Sequence, residues 1–359
     1  MTSVRLKVAV LYNAPVLPVD HPDAVSEADV VEVAQAVAAG LENHGFESVL
    51  LAVRPPVVEV LRSLDRIGPD VAFNLIEGFG ASTAAATHMT GLLELAGFAY
   101  TGSPMEALAL CVSKGRAKFL LRGAGLPTAP GFVVEPGAAV PRWDWAGPAI
   151  VKPDAEDGSL GIDQASVVLD WDSACDRVVW IHATYGGAAL VEAYLPGSEY
   201  NVGVLALPEP EALPIAEVAY EPVEGTWPIL TYAAKWSAGS VEDRASPVLC
   251  PARIERELAE TMCRLAVSAF KVTGCRDYAR VDLRLDHRGE PVILEVNPNP
   301  DIGPTAGWAR ALRVSGRDYS ATLAALARQA MGRPRMPLRA SDLGNRGRGS
   351  SASEPDRQR

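Results

Sequence analysis

The sequence predicts a mixed α/β protein made of three units: a parallel α/β unit, a small β-rich unit and a mixed α+β unit. Short apolar runs alternate with helical periods through the first part of the chain, which is typical of a parallel sheet covered by helices. Strand-like runs then predominate, and a polar hairpin lies near the C-terminus. A chain of 359 residues is long enough for two or three such units.

The first unit, predicted over residues 1–103, repeats the order strand, helix, strand. Its predicted strands are residues 6–12, 48–53 and 71–75, and its predicted helices are residues 27–42 and 57–64. Ligands of such sheets bind beyond the carboxyl ends of the strands. Asn13 and the segment 74–80 follow two of these ends, so we expect them to border a binding site.

The central unit, predicted over residues 104–207, begins with helices and continues as strands. One helix runs through Leu108, and a second covers residues 117–122 and ends at Gly123 and Gly125. The predicted strands are residues 149–152, 165–168, 189–192 and 200–207.

The third unit, predicted over residues 208–331, combines strands with two long helices. The predicted strands are residues 215–220, 229–236, 279–285 and 291–297, and the last two form a hairpin. The predicted helices are residues 253–271 and 319–330. Residues 332–359 are rich in Arg, Ser, Gly and Pro and cannot bury a core, so they are predicted to be a disordered tail.

Composition and charge exclude several classes of protein. Hydrophobic residues make up 48% of the chain and charged residues 21%, an ordinary globular composition. A net charge of -11 argues against a nucleic-acid partner. No uncharged stretch approaches the roughly 18–20 residues that span a bilayer, so no membrane partner is expected. The 5 cysteines form no CxxC pair, which favours reduced thiols in the cytoplasm over a zinc site or disulfides.

The hairpin carries the sharpest chemical signal. Glu295 and Asn297 alternate on one strand, so their side chains share a face. Asp282 lies close to opposite, in a register that could differ by one residue, and Arg280 shares its face. Two carboxylates and an amide are ligands that Mg²⁺ prefers, and the arginine can stabilise a phosphoryl group. A solvent-facing polar hairpin is the alternative, disfavoured by an apolar set expected to be buried: Val281, Leu283, Ile293 and Val296.

Residues 150–162 form a second candidate site. Lys152 leaves a predicted strand, and a loop of small residues that contains Gly158 and Ser159 follows it. One ammonium and several free backbone amides can hold a polyphosphate. We therefore predict that Gly158 binds the nucleotide and that Ser159 is catalytic. The spacing differs from the P-loop pattern, and a plain hairpin turn is the alternative.

The extended segment 190–199 is a third candidate site. Its free backbone groups can contact the edge of an adenine, and a carboxylate beside it can hold ribose hydroxyls. The candidate residues are Glu192, Tyr194, Leu195 and Glu199.

The order of these features resembles the ATP-grasp superfamily and, within it, the D-alanine–D-alanine ligase branch. The shared features include a lysine at a helix start, a lysine before a glycine-containing loop, two glutamates around a Pro-Gly turn and the polar hairpin. The motifs at residues 100–103, 124–127, 234–236 and 274–278 fit this branch too. The resemblance covers roughly residues 5–330.

The resemblance implies an ATP-grasp fold of three domains, with ATP between the second and third. Lys114 and Lys152 would contact phosphates, and Lys235 the γ-phosphate. Glu192 and the backbone near Tyr194 and Leu195 would contact the adenine. Glu199 would bind the ribose hydroxyls.

The resemblance also implies the metal site and the chemistry. Asp282, Glu295 and Asn297 would hold two Mg²⁺ ions, for which Mn²⁺ could substitute, and Arg280 would steady the intermediate. The implied reaction is phosphoryl transfer to a carboxylate, followed by attack of an amine on the acyl phosphate.

The chain departs from this branch where substrates bind. The first turn, residues 12–18, is not glycine-rich, and Glu77 stands where the branch has histidine. After the hairpin, Asn299 and Asp301 replace the usual Ser-Pro-Gly pattern. An anion at residue 301 would repel the carboxylate of an acceptor. A smaller change is Ser113, which stands where an aspartate is usual.

We therefore expect a ligase that joins an amino acid or small carboxylate to an amine in a specialised biosynthetic route. Its expected partners are these small-molecule substrates, and a homodimer is one of the oligomeric states left open. Glu77 is predicted to bind a substrate ammonium, with a helix-capping or solvated glutamate as the alternative. Trp236, Asn299 and Asp301 complete the predicted substrate site. The rival functions are a true D-alanine–D-alanine ligase, a non-catalytic ATP-binding regulator, and an enzyme that uses the acyl phosphate for cyclisation or phosphoryl transfer.

Overall fold

The computed structural model describes residues 5–15, 24–54, 56–78 and 84–334, without the side chains of residues 24–28 and 84. The predicted disordered tail lies outside the described residues, apart from residues 332–334. Part of the unusual first turn and the end of the segment 74–80 lie outside them as well. In the described part of the chain, no helix is long and apolar enough to cross a membrane.

The first sheet is parallel and confirms the three strands predicted for the first unit. The strand β1 (Leu6–Asn13) lies between β2 (Phe46–Val53) and β3 (Val71–Asn74). The helices that follow these strands are α1 (Ala24–Glu42), α2 (Val58–Ile67) and α3 (Ala84–Leu95). Of these helices, α3 is absent from the sequence prediction.

Two helices, α4 (Met105–Val112) and α5 (Lys114–Gly123), lead into a second, antiparallel sheet. Its strand order is β4-β7-β5-β6. The sequence predicts a strand from residue 165, but a short 3-10 turn comes first because Asp163 caps it by accepting a hydrogen bond from Ala165 N at 2.8 Å. The helix α6, which the sequence does not predict, packs on this sheet. The elements are β4 (Gly131–Val134), β5 (Ala149–Pro153), β6 (Val167–Val168), α6 (Trp171–Tyr185) and β7 (Ala189–Ala193).

The third sheet has the order β11-β10-β8-β12-β13 in the described residues, with β9 paired to β8. Its strands are β8 (Glu199–Ala206), β9 (Pro210–Ala212), β10 (Ala216–Val218), β11 (Val248–Leu249), β12 (Tyr278–Leu285) and β13 (Pro291–Asn297). The helix α9 (Arg256–Val272) packs against it. The sequence groups residues 200–207 with the central unit, whereas β8 pairs along its length with β12. The domain limits themselves stay a prediction.

The strand predicted at residues 229–236 is wrong. Residues Tyr232–Trp236 form the helix α7, and α8 (Val241–Arg244) follows it. Thr231 caps α7 by accepting a hydrogen bond from Ala234 N at 3.2 Å. The apolar run before the threonine resembles a strand, but the cap and two consecutive alanines favour a helical turn.

The largest hydrophobic core joins the first sheet to the C-terminal helices. Phe73 of β3 and Tyr278 of β12 belong to one buried cluster with Trp308 of α10 (Gly307–Val314) and Leu323 of α11 (Tyr319–Met331). The helix α11 also packs directly against α1. The first and third sheets therefore share a core, which places the carboxyl edge of the first sheet beside the end of the polar hairpin.

Candidate active site

Alternating polar residues share one face of the third sheet, and the strand register determines which of them are neighbours. Arg280 pairs with Asn297 and Asp282 pairs with Glu295, so the predicted hairpin register is confirmed. On the other side of β12, Asp282 pairs with Asn201 of β8. This face therefore brings together two carboxylates, two amides and a guanidinium.

A β-bulge lets β13 contribute to both the core and the site. Ile293 and Glu295 are two residues apart and would share a face on a regular strand. The pairing shifts between Asp282 and Leu283, so one extra residue, Leu294, lies on β13. Ile293 can therefore be fully buried while Glu295 reaches the polar face. The predicted apolar face is confirmed, since its four members are buried: Val281, Leu283, Ile293 and Val296.

Asp282 is held by donors on both sides of its carboxylate. Arg280 donates from Nε to Oδ1 and from Nη2 to Oδ2, each at 2.8 Å. Asn201 Nδ2 donates to Oδ1 at 2.8 Å, and Asn297 Nδ2 donates to Oδ2 at 3.1 Å. Burial opposes the charge of Arg280, but Asp282 raises the pKa of the guanidinium. This bidentate pair fixes the direction of Arg280.

Glu295 faces several cations. Lys114 Nζ lies 3.5 Å from Glu295 Oε2. Desolvation would raise the pKa of Glu295, but the charges of Lys114, Lys152, Lys235 and Arg280 hold it well below its usual range. Desolvation and the neighbouring Arg280 lower the pKa of Lys235 in turn. Several cations thus converge on one carboxylate, which is an arrangement suited to a polyphosphate.

The hairpin residues fit a magnesium–phosphate site better than a metal cage made of protein alone. Within the described residues, no group of three or more His, Cys, Asp or Glu side chains is placed to hold a metal. Asp282, Glu295 and Asn297 supply two carboxylates and an amide, and Mg²⁺ commonly completes its octahedron with water and phosphate oxygens. Arg280 occupies both oxygens of Asp282, so Glu295 has the more accessible carboxylate.

The helix α5 begins beside the hairpin and is capped by a carboxylate from the second sheet. Asp154 accepts hydrogen bonds from Ser113 Oγ at 2.6 Å and from Gly115 N at 2.8 Å. The carboxylate that is absent at residue 113 is thus supplied at the same helix start by Asp154. A Cβ atom at Gly115 would lie 2.2 Å from a side chain of β4, so the contact requires glycine. Lys114 is buried and donates to Glu156 O at 2.5 Å.

A buried triad joins α5 to the second sheet. Glu192 is 1% exposed, and its carboxylate lies 2.8 Å from both Lys118 Nζ and Lys152 Nζ. Desolvation acts against ionisation, but the two lysines lower the pKa of Glu192. Lys118 is missing from the sequence prediction, although its position one helical turn after Lys114 is a signal that could have identified it.

The loop after β5 contains two consecutive residues in the left-handed region. Gly158 and Ser159 both have φ of 63°. This conformation is strained for a serine and is common at functional sites. Trp236 of α7 restrains the loop, because its Nε1 donates to Gly158 O at 3.0 Å. The structure therefore places Trp236 against the loop, where it joins α7 to the loop after β5.

The segment after β7 packs into a small apolar cluster. Leu195 packs with Ala129 and Val292, and the partly buried Leu294 contacts this group. The N–H of Tyr194 donates to a backbone carbonyl before β5 at 3.0 Å. In the described part of the chain, the N–H of Leu195 has no such backbone partner. An apolar cluster beside an N–H without a backbone partner suits the edge of a planar base.

Glu199 lies in a network of residues that the sequence does not predict. Its Oε2 accepts hydrogen bonds from Tyr220 OH at 2.8 Å and from Arg284 Nη1 at 3.3 Å. Arg284 continues the alternation of Arg280 and Asp282 along β12, which is the signal that could have identified it. The site residues missing from the prediction are Lys118, Asp154, Asn201, Tyr220 and Arg284.

Asn299 connects the hairpin to the first sheet. Its Nδ2 donates to Ile76 O at 3.0 Å, and its Oδ1 accepts from Tyr278 OH at 3.4 Å. Both ends of the amide are thus engaged within the protein, so the structure places this predicted substrate residue as a bridge between two sheets.

Glu77, Asp301 and Asp29 form an acidic region at one end of the candidate site. The Asp301 Oδ1 accepts a hydrogen bond from Gly303 N at 2.7 Å, which fixes its turn. Desolvation and the carboxylates of Asp301, Asp157 and Asp29 raise the pKa of Glu77 to about 8. The Glu77 side chain is exposed to solvent, which screens these charges.

Comparison with known proteins identifies the family. Residues 123–328 match the family model described as D-ala D-ala ligase C-terminus. The chain is 34% identical over 299 residues to Uncharacterized protein y4sG of Sinorhizobium fredii, which covers 81% of this chain and 85% of that protein. It is 33% identical over 300 residues to a D-alanine–D-alanine ligase of Alcanivorax borkumensis, covering 84% and 88%.

A solved structure shares the fold. The D-alanine–D-alanine ligase of Bacillus anthracis complexed with ATP superposes with a TM-score of 0.67 at 19% identity, covering 91% of this chain and 97% of that chain. The architecture predicted from the sequence is thereby confirmed. The chain belongs to the D-alanine–D-alanine ligase family and is an ATP-dependent ligase with the ATP-grasp fold.

Proposed function

We propose that this protein joins a small carboxylate or amino acid to an amine other than D-alanine, through an acyl phosphate and with ATP and Mg²⁺. The observation that carries the proposal is the contrast between the two ends of the candidate site. Lysines and Arg280 surround the hairpin carboxylates at one end, whereas Glu77 and Asp301 make the other end acidic.

The residues of the cationic end have distinct proposed roles. When bound, ATP would supply the phosphoryl group, and two Mg²⁺ or Mn²⁺ ions held by the hairpin would neutralise its charge. Lys114 and Lys152 provide fixed positive charge for phosphates. Arg280, oriented by Asp282, faces negative charge that develops on the reacting carboxylate. Trp236 restrains the loop that would keep water from the acyl phosphate.

The acidic end supports an acceptor that carries an ammonium group and has no carboxylate at this position. The charges that act on the pKa of Glu77 are those of Asp301, Asp157 and Asp29, and all of them disfavour another anion. A cationic group would be attracted, whereas the carboxylate of a D-alanine acceptor would be repelled. The acceptor is therefore an amine or diamine in this proposal, and its product is specialised.

A second candidate function is a true D-alanine–D-alanine ligase of peptidoglycan synthesis. The observation that favours it is the name of several relatives, such as the D-alanine–D-alanine ligase of Pelotomaculum thermopropionicum, 31% identical over 317 residues. In that case the acidic end would need a cation between Glu77 and the carboxylate of the acceptor.

Release of ADP by the purified protein tests the proposal. D-Alanine alone is compared with pairs of a D- or L-amino acid and an amine that lacks a carboxylate, and products are identified by mass. We expect strong ADP release with at least one such pair and little with D-alanine alone. Formation of D-alanyl-D-alanine at rates typical of the ligases would favour the second function. ADP release that does not depend on any added substrate would contradict both candidate functions.

A further inference from the structure

A buried arginine on the polar face of the third sheet has no part in the proposed reaction. Arg284 is 4% exposed and lies two residues after Asp282, on the same face of β12. Its neighbour across the sheet is Glu199, with which it is paired in register. A buried guanidinium is costly unless each donor finds an acceptor, so its partners indicate what it holds in place.

The guanidinium of Arg284 connects three segments around Glu199. Nε donates to Gly197 O at 3.0 Å, and Nη2 donates to Tyr194 OH at 3.2 Å and to Pro228 O at 2.5 Å. Nη1 lies 3.3 Å from Glu199 Oε2. A single side chain thus fixes the Pro-Gly turn, the aromatic residue before it and the loop that leads to α7.

Glu199 is held through one of its two carboxylate oxygens. Tyr220 OH and Arg284 Nη1 both donate to Oε2. No hydrogen bond to Oε1 accompanies them among the residues that the structure describes. Desolvation and the Glu199 carboxylate raise the pKa of Tyr220, so its hydroxyl remains a donor. The carboxylate therefore has a fixed orientation and one oxygen left to accept.

We propose that Arg284 is a positioning residue of the nucleotide site: with Tyr220, it orients Glu199 so that the second carboxylate oxygen accepts from the ribose hydroxyls. This inference rests on the proposed function, because it requires a bound ribonucleotide. Lysine cannot replace the arginine fully, since an ammonium is a point charge and cannot span the same planar set of acceptors.

Ribose-dependent kinetics test the role of Arg284. Arg284→Met, Arg284→Lys and Tyr220→Phe are compared with the unchanged enzyme, using ATP, 2′-deoxyATP and 3′-deoxyATP. The variant should weaken the hydrogen bond between the charged Glu199 and the ribose hydroxyls. We therefore expect Arg284→Met to raise the KM for ATP about tenfold and to leave kcat within about twofold. The preference for ATP over the deoxynucleotides should fall by a similar factor. Arg284→Lys should restore part of this preference.

Control variants separate positioning from loss of structure. Arg256→Met removes an exposed arginine of α9 and should leave every ratio unchanged. If Arg284→Met does not fold, Tyr220→Phe decides, since it removes a single donor and should lower ribose discrimination about threefold. Equal losses for ATP and the deoxynucleotides, or unchanged discrimination in Tyr220→Phe, would overturn the inference.

Direct binding of a non-hydrolysable ATP analogue distinguishes failure of this inference from failure of the proposed function. If the unchanged protein does not bind the analogue with Mg²⁺ present, both are wrong. If it binds and the preference for ribose does not depend on Arg284 or Tyr220, the positioning role alone is wrong.

Discussion

Glu295 is the residue on which the proposed metal chemistry most depends, because it has the more accessible carboxylate beside several cations. Glu295→Ala should abolish turnover and leave the fold intact, since its neighbours stay in place. Steady-state ADP release and thermal unfolding measure the two effects. Glu290→Ala is the matched control, as it removes an exposed glutamate of the same hairpin. Near-normal turnover in Glu295→Ala would show that Glu295 is not a magnesium ligand.

Glu77 should make binding of the acceptor depend on pH. Its folded pKa of about 8 lies above the ordinary value of 4.5, so the neutral form predominates below pH 8. A cationic acceptor prefers the ionised form, and its KM should fall as pH rises toward 8. For the same reason, the stability contribution of Glu77 declines as pH rises from about 4.5 to 8, because the folded state binds more protons there.

Glu77→Gln provides the comparison for this pH dependence. The KM of the acceptor is measured from pH 6 to 8.5 with a saturating carboxylate substrate. The variant should bind the amine more weakly and lose most of the pH dependence, although Asp301 and Asp29 remain nearby and their pKa values are also raised. An unchanged KM profile in the variant would exclude Glu77 from binding the acceptor.

The sequence predicts the residues of the hairpin better than the partners that hold them. Asp282, Glu295 and Asn297 could be identified because two strands close in sequence share a period of two and a buried face. Asn201 on β8 and Asp154 at the end of β5 reach the site from segments far from the hairpin along the chain. Their contacts depend on sheet pairing that no local pattern encodes.

At the scale of elements, the sequence predicts the short, apolar strands well. It predicts short helices and irregular features of strands less well. The sequence pattern favours a strand where α7 lies, because the threonine that caps this helix follows an apolar run. The sequence does not predict the bulge at Leu294. Its need becomes apparent only when β13 is paired with β12, because Ile293 must be buried while Glu295 faces the site. Of the helices that the sequence does not predict, α6 has only a weak amphipathic period, whereas α10 is short but buries one face: Trp308, Ala309, Ala311 and Leu312.

The contact between α7 and the loop after β5 should control how well ATP use is coupled to product formation. Trp236→Phe keeps the aromatic ring and removes the hydrogen bond to Gly158 O. A looser loop admits water to the acyl phosphate, so phosphate released per molecule of product should rise several-fold. Phosphate and product are measured in the same reaction. Trp180→Phe, on the exposed surface of α6, is the control, and equal coupling in both variants would contradict a closing role.

At the scale of the whole molecule, the shared core predicts that the first and third sheets unfold together. Trp308 is fully buried, packs at a tilted angle of 57° against Tyr278 and donates to Val204 O at 3.3 Å. Trp308→Ala should lower the free energy of unfolding by about 3–5 kcal/mol, as is usual for buried aromatic residues. Urea unfolding followed by fluorescence and circular dichroism measures the change.

The matched control for Trp308 is Trp180→Ala, because Trp180 is 39% exposed and lies outside the shared core. Its effect should be clearly smaller. An early transition confined to the first sheet, or a loss below about 1 kcal/mol in Trp308→Ala, would show that the two sheets are stabilised separately.

The fate of a labelled oxygen tests the central claim, ligation through an activated carboxylate, most directly. The carboxylate substrate of the best pair is labelled with ¹⁸O at both carboxylate oxygens. The masses of the phosphate and the product are then measured by mass spectrometry. One labelled oxygen should appear in each phosphate released, and the product should equal donor plus amine less one water, with the other label retained. Unlabelled phosphate without an amide product would contradict the account.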